Sequence, residues 1–431
     1  MTLFAPLFVP DELREATSDR AWLEAMLEAE RALANAGGLA GVIPPEAAGK
    51  ISDCCDAGRY SIDELAAQGR AVGNPAEPLV RALREAVGAP FADYVHRGAT
   101  SQDIVDTAAM IVARRALGLI LDDVDRVAAE CSRHARIHAA TPMTGRTLLQ
   151  AAVPITFGLK AAGWLVAVVE ARRGLLRVRT EGLAAQLGGA AGTLALLGER
   201  APEVVELYAA QLELPVPVLP WHANRTRIAE LGGALAVTAG VLAKIGMDIG
   251  LLAASEVAEV REAAAGGSST MPQKQNPVGS MLAVACGRSV AAHASVLTAS
   301  LVAEHERAFG GWQAEWPALT AALALTGGAA SSIADVLGGL EVDAERMLAN
   351  LDARDGSVFA ERVVDALSGQ VGRAEALDLL AEHGTGDDLL ADARVGLSRD
   401  ELDALLDPAA YLGSAGLFVE RALAFYEEDS S

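Results

Sequence analysis

The sequence predicts an all-α protein built on long helices, and three observations carry that expectation. Of its 431 residues 52% are apolar but only 4% are aromatic, with alanine and leucine dominant, a composition suited to closely packed helices. Apolar residues recur at helical spacing over long stretches. One of these, residues 226–265, contains no proline and would span on the order of 55–60 Å at the helical rise. The chain is long enough for two or three domains with a large core.

Residues 1–97 read as an N-terminal helical domain of short amphipathic helices, broken by Pro44-Pro45, Gly73-Asn74-Pro75 and Gly88-Ala89-Pro90. A central long-helix domain, 98–341, opens at Thr100 to Asp103 with a capping-box-like start, and its first helix runs to about Ala140. A second long helix is expected from near Pro154 to the Gly188-Gly189 stop, and a third over 226–265. The fourth begins at Pro277, with Asn276 as N-cap, and continues to about Glu304. The fifth covers about 317–340. Its uncharged stretch, 316–334, carries Pro317, Gly327-Gly328 and Ser331-Ser332, and reads as a core helix and its end, not a membrane span. Residues 342–431 form a small, acidic C-terminal helical domain. In the third helix Leu231, Leu235, Val237, Val241, Leu242, Ile245 and Ile249 occupy several faces, so it needs several neighbours. That need points to a central bundle completed by a homo-oligomer, with a long monomeric bundle as the alternative.

Charge and cysteine usage exclude several functions. The net charge is −22, and with no basic stripe to neutralise phosphates a nucleic-acid partner is not expected. An anionic substrate must be held by a few local cations against the overall field. Cys54, Cys55, Cys131 and Cys286 lack paired metal spacing, so no metal is expected and a reduced, cytoplasmic protein is the default. No Arg or Lys precedes Asp11, which argues against a secretory signal. Gly188-Gly189-Ala190-Ala191-Gly192 follows a helix instead of a strand, which argues against a dinucleotide.

The most informative string is Gly266-Gly267-Ser268-Ser269-Thr270-Met271-Pro272-Gln273-Lys274-Gln275-Asn276-Pro277. It joins a glycine pair, a plausible hinge, to one of the chain's four lysines and then to a helix start. Hydroxyls, an ammonium and a helix N-terminus converge there, a combination suited to an anion. The string resembles the signature loop of the fumarase/aspartase superfamily. Two further segments fit that superfamily's other signature regions: His96-Arg97-Gly98-Ala99-Thr100-Ser101-Gln102-Asp103, and Gly145-Arg146-Thr147-Leu148-Leu149-Gln150 leading into Ala152-Val153-Pro154-Ile155-Thr156-Phe157-Gly158.

The resemblance implies a three-domain fumarase/aspartase-like fold, a homotetramer with shared active sites and no cofactor. It implies Ser268 as the base acting on carbon, with Lys274 and Asn276 holding the substrate carboxylate as it becomes an aci-carboxylate. The substrate-binding set it implies is His96, Arg97, Thr100, Ser101, Arg146, Thr147, Gln150, Arg307 and Met271. Arg225, after Trp221-His222 and before the third long helix, is a further candidate for a substrate carboxylate, with a solvated helix N-terminus as the alternative. Neutral serine is a poor base, so concentrated positive potential is required of its surroundings.

Two departures narrow the chemistry. Where fumarases, argininosuccinate lyases and adenylosuccinate lyases typically carry His, this chain has Leu148; where their loop helix carries Glu, it has Met281. Those groups protonate the departing amine or hydroxide. A carboxylate leaving group, with a conjugate-acid pKa of about 4, departs without that help. The pattern resembles the bacterial 3-carboxy-cis,cis-muconate cycloisomerase family, whose members close a small tricarboxylate to a lactone in protocatechuate degradation. Leu3-Phe4-Ala5-Pro6-Leu7-Phe8, Trp221-His222 and Glu304-His305-Glu306-Arg307 extend the likeness over nearly the whole chain. Gln273 and Gln275 stand where that family often has His and Arg, which lowers the local charge available to a trianion. Arg307 is similar to a nucleotide-binding arginine of adenylosuccinate lyase, but Gly310-Gly311-Trp312 replaces the hydroxyl residues expected after it. His96 and His222 lie in signature-like segments, and histidine is the residue type suited to a neutral-pH switch. The alternatives are an amine-eliminating lyase of the same superfamily and a catalytically silent helical oligomer.

Overall fold

The first long helix starts where Ser18 accepts a hydrogen bond from the Ala21 N–H at 3.1 Å, an N-cap that satisfies one of the helix's free donors. The computed structural model describes residues 3–264, 266–267, 271, 274–354 and 356–429. Among these, six helices exceed 20 residues: α1 (Asp19–Leu39), α2 (Ser101–Ile137), α3 (Phe157–Arg177), α4 (Thr226–Leu252), α5 (Val278–Ala299) and α6 (Gly311–Gly338). The fold is all-α; the strands described are β1 (Pro142–Thr147) with β2 (Gln150–Thr156), and β3 (Val260–Glu262) with β4 (Leu340–Val342), each pair antiparallel.

Those strands correct two sequence expectations. Residues near Pro154 do not open a helix: Val153, Ile155 and Thr156 are β-branched and favour extended backbone, and Thr144 pairs with Pro154 and Pro142 with Thr156 across the hairpin. A register shift falls between Thr144 and Arg146, where a Cβ on Gly145 would lie 2.4 Å from the Val153 carbonyl oxygen. Helix α3 therefore starts at Phe157. Helix α4 ends at Leu252, not near 265. No breaker residue stops it; the Glu259 carbonyl accepts from the Asp343 N–H at 3.0 Å, and the β3–β4 ladder takes the following backbone. Tertiary pairing outweighs helix propensity here.

The fifth expected helix forms as α6, starting a few residues earlier than expected and carrying the glycine pair Gly327-Gly328 inside it. A Cβ at Gly327 would lie 2.1 Å from Leu13 Cδ2, and one at Gly328 would lie 2.0 Å from the Phe8 carbonyl oxygen. The pair is a notch into which the N-terminal segment packs.

Contacts divide the chain into two compact units, one of residues 1–124, 171–243 and 282–332, the other of 125–170, 244–281 and 333–431. The division cuts through α2 to α6. In the first unit Leu23, Leu27, Ile104, Met110, Ile111 and Leu117 are fully buried. In the second, Phe157 packs edge-on against Trp164 and His138, with ring centroids 5.8 and 5.3 Å apart. The second unit also holds a separate C-terminal core of Val363, Leu367, Ala376, Leu379, Leu389 and Leu402.

By length and composition alone α4, α5 and α6 could each cross a membrane, and 44%, 33% and 61% of their most apolar stretches are buried within the chain. On α4, Leu231, Leu235, Leu242, Ile245 and Ile249 are buried, while Val237 and Leu251 remain 59% and 46% exposed. An apolar face is left over after a single chain has folded.

Gly328→Ala is expected to lower the unfolding free energy by about 1–3 kcal/mol through overpacking, measured by urea denaturation. An unchanged midpoint would mean that the Phe8 backbone is not held in the notch.

Candidate functional site

In the first unit the first signature region is held by Asp103, a fully buried carboxylate. It accepts from the N–H groups of Thr100, Gly188 and Gly189, each at 2.9 Å, and lies 2.6 Å from His222 Nε2. The bond to Thr100 is the return half of the expected capping box. One turn further along α2, Asp106 enters a buried ion triad. Arg225 donates from Nη1 and Nη2 to Asp106 at 2.8 and 3.0 Å, and from Nε and Nη2 to Glu315 at 2.9 and 2.5 Å.

Arg225 departs from its expected role. Its side chain is 1% exposed, and two protein carboxylates occupy both edges of the guanidinium. Burial alone would lower its pKa, yet Asp106 and Glu315 hold it above the ordinary arginine value. Burial in turn raises Glu315, against the opposing pull of Arg225. A substrate carboxylate has no free edge to bind.

His96 is also committed: Nδ1 lies 2.5 Å from Glu30 Oε1. Burial works against its charged form, but the Glu30 charge and hydrogen bond raise its pKa overall. It adopts φ 63° and so directs the chain into the Thr100–Ser101 turn. Arg97 is exposed, and Thr100, Ser101 and Arg307 are half-buried. Arg307 donates from Nε to Gln102 Oε1 at 3.0 Å and from Nη2 to the Ala190 carbonyl at 3.1 Å. Arg97, Thr100, Ser101 and Arg307 are thus the expected residues of this unit that retain accessible surface without an ion pair to a protein carboxylate.

The second unit carries the other two regions. The signature loop is closed at its base by Gly266 and Asn276, whose backbones exchange two hydrogen bonds of 2.9 Å. Gly266 is required for close approach, since a Cβ there would lie 2.3 Å from Val278 Cγ2. That makes it an anchor instead of a hinge. Helix α5 starts one residue later than expected, with the Pro277 carbonyl accepting from the Met281 N–H at 3.0 Å. Its positive end is already taken: Glu262, 4% exposed, accepts from the N–H groups of Gly279 and Ser280 at 3.1 and 3.0 Å. The anion attracted to this N-terminus is a protein carboxylate. Lys274 and Met271 are exposed and Asn276 half-buried; Ser268 lies outside the described residues.

Arg146 is paired too, donating from Nη1 and Nη2 to Glu259 at 3.0 and 2.6 Å. Glu259 is fully buried and also accepts from Asn350 Nδ2 at 2.8 Å. The expected carboxylate-binding arginine is instead a strut between the hairpin and the segment leading to β3. Thr147 and Gln150 close the hairpin, both exposed. At its tip Leu148 and Leu149 have φ 50° and 64° and are 96% and 76% exposed. Two positive-φ residues make the turn that two-residue hairpins require, at a cost that leucine does not normally meet.

Met271, Lys274 and Asn276 line an open cleft of about 1090 Å³ with Glu262, Glu341, Asp343 and Glu345. Its carboxylates outnumber the cations Arg261 and Lys274, so the cleft by itself repels a polyanion. Among the described residues no cluster of His, Cys, Asp and Glu suits a metal ion. Sequence reasoning missed Glu262, Glu259 and the hub role of Asp103. Only Asp103 had a local signal, as the third residue after Thr100 in a capping box.

Arg225→Ala is expected to cost about 3–5 kcal/mol of stability by leaving two buried carboxylates without their cation, read from urea denaturation. Unchanged stability with a raised KM would return Arg225 to substrate binding.

A family model described as Lyase matches residues 9–291. A nitrosuccinate lyase of Streptomyces davaonensis is 45% identical, the match covering 98% of this chain and 94% of that protein. A 3-carboxy-cis,cis-muconate cycloisomerase of Bradyrhizobium diazoefficiens is 42% identical over 99% of this chain and 98% of its own. Among solved structures, the 3-carboxy-cis,cis-muconate lactonizing enzyme of Pseudomonas putida superposes with a TM-score of 0.93 at 42% identity, covering 100% of both chains.

Proposed function

The chain belongs to the lyase family, and on that premise we propose that it closes 3-carboxy-cis,cis-muconate to carboxymuconolactone without a cofactor, as a step of protocatechuate degradation. The observation that carries this reading is a split in the signature residues. Ser268, Lys274 and Asn276 retain the carbon half of the superfamily's chemistry, while Leu148 and Met281 stand where its leaving-group acid would be. Leu148 is 96% and Met281 57% exposed, so both are presented outward, and neither has a proton to give.

In the forward direction a substrate carboxylate oxygen attacks the conjugated double bond and forms the lactone C–O bond. The displaced electron pair moves into another carboxylate, which becomes an aci-carboxylate stabilised by Lys274 and Asn276. Ser268 Oγ–H then delivers its proton to carbon, and solvent restores the serine proton. Arg97, Thr100, Ser101, Thr147, Gln150 and Arg307 position the remaining carboxylates. Met271 borders the same loop. His96, Arg146 and Arg225 act behind these residues, through Glu30, Glu259 and the Asp106–Glu315 pair.

The reading includes a homotetramer with shared active sites, supported by the uncovered apolar face of α4 and by signature residues distributed over two units. It keeps the three-part division at 97 and 341, a cytoplasmic location and no nucleic-acid partner. A second reading is elimination of nitrite from a nitrosuccinate. Nitrite is also a weak base and needs no acid to leave, and Gln273 and Gln275 suit a dicarboxylate better than a trianion.

Loss of muconate ultraviolet absorbance and nitrite release, assayed in parallel, separate the two readings. Ser268→Ala is expected to lower turnover of the preferred substrate by about 10²–10⁴-fold, with the thermal midpoint unchanged. Near-normal turnover by that variant removes Ser268 from the mechanism.

A further inference from the structure

The C-terminal part of the second unit contains a groove lined by no residue of the three signature regions. Helices α7 (Ala360–Val371) and α8 (Arg373–His383) contribute Val363, Leu367, Ala376 and Leu379 to the C-terminal core, and an open cavity of about 650 Å³ lies along them. Its lining follows the helical period, with Ala360 and Val364 on α7 and Arg373, Leu377, Leu380 and Ala381 on α8. The segment before α7 adds Arg354 and Ser357, and the turn after α8 adds Gly384 and Thr385. These two segments approach closely: Gly356 has φ 74°, and a Cβ there would lie 2.2 Å from Thr385 Oγ1. No side chain fits at position 356, and the alanines at 360 and 381 are too short to close the space.

The charge balance of this groove is unlike that of the chain around it. Nearby guanidiniums are taken: Arg394 by Asp392 and Glu375 at 2.6 and 2.5 Å, and Arg362 by the carbonyls of Ala404 and Leu405 at 3.0 and 2.9 Å. Arg354 and Arg373 are exposed and make no ion pair among the described residues. The one carboxylate in the lining, Glu361, already accepts from the Tyr411 hydroxyl at 3.0 Å. Two guanidiniums against one carboxylate leave a single positive charge, in a protein of net charge −22. The signature-loop cleft has the opposite balance. Beside these charges the wall is apolar: Val364 is 4% exposed, while Leu377 is left 49% exposed.

We propose that this groove is a second ligand site, for a small organic acid with one carboxylate and an apolar body. The carboxylate meets the Arg354 and Arg373 guanidiniums, and the body covers Val364, Leu377 and Leu380. Exposed guanidiniums alone hold an anion only weakly in water, so an inorganic anion gains too little to stay. Burial of an apolar body supplies the rest. A polycarboxylate would bring more negative charge than the groove balances and no apolar body. The site is independent of which reaction the signature loop performs.

Octanoate is the probe, titrated calorimetrically into the full-length protein. One molecule per chain is expected to bind with a Kd on the order of 0.1–1 mM, and octanamide or phosphate about tenfold more weakly or not at all. The double variant Arg354→Gln/Arg373→Gln should weaken octanoate about tenfold, with turnover and thermal midpoint unchanged. Ala381→Phe keeps both cations, fills the groove and should weaken octanoate by about the same factor. Lys274→Ala should leave octanoate binding as in the wild type. No binding by the wild type, equal binding of octanamide, or binding that survives either groove variant overturns the proposal. Loss of binding in Lys274→Ala puts the probe in the signature-loop cleft and overturns it as well.

Discussion

The buried guanidinium of Arg225 is the constraint on which the first unit depends. Asp106 comes from α2 and Glu315 from α6, and Arg225 itself immediately precedes α4. One cation therefore sets the register of three long helices. Trp312 Nε1 adds a bond to Asp106 Oδ1 at 2.9 Å, and Gln102 Nε2 adds one to Oδ2 at 3.1 Å. Such a triad stabilises little compared with an apolar core, but it tolerates only one arrangement of its members. The signature turn at Thr100 lies less than two helical turns away from it and inherits that rigidity through Gln102 and Asp103.

The same logic recurs in the second unit. Glu259 receives Arg146 and Asn350, and Glu262 receives the first N–H groups of α5. Protein carboxylates thus consume two sources of positive potential that the sequence offers to a substrate. In a chain of net charge −22, the cations among the expected site residues that keep accessible surface without an ion pair among the described residues are Arg97 and Arg307 in the first unit and Lys274 in the second, and the proposed function gives these the recognition of an anion. Scarcity of free positive charge fits a catalyst that stabilises one developing carboxylate and gives no assistance to the departing group.

Much of this was legible in the sequence because it is written locally. Long helices follow from the period of Leu231, Leu235, Leu242 and Ile249, and the three signature regions are contiguous strings. What escaped depends on partners distant in sequence. Arg225 and Arg146 have the residue type and neighbourhood of carboxylate ligands, and their partners lie 90 or more positions away. The hairpin at 142–156 was hidden because Pro154 signals a helix start as readily as a strand without an N–H. The Gly266-Gly267 and Gly327-Gly328 pairs share one lesson. Glycine marks either freedom or close approach, and only the neighbour that a Cβ would strike tells which.

The proposed chemistry keeps the carbon half of the superfamily's reaction in Ser268, Lys274 and Asn276, while Leu148 and Met281 stand where the acid that assists departure would be. A series of substrates with leaving groups of graded basicity tests it most directly. The relative kcat/KM would be measured for 3-carboxymuconolactone in reverse, nitrosuccinate, fumarase substrate, argininosuccinate and adenylosuccinate. Turnover is expected only with the weakly basic carboxylate and nitrite leaving groups. Robust expulsion of an amine or of hydroxide by the wild-type enzyme would contradict it.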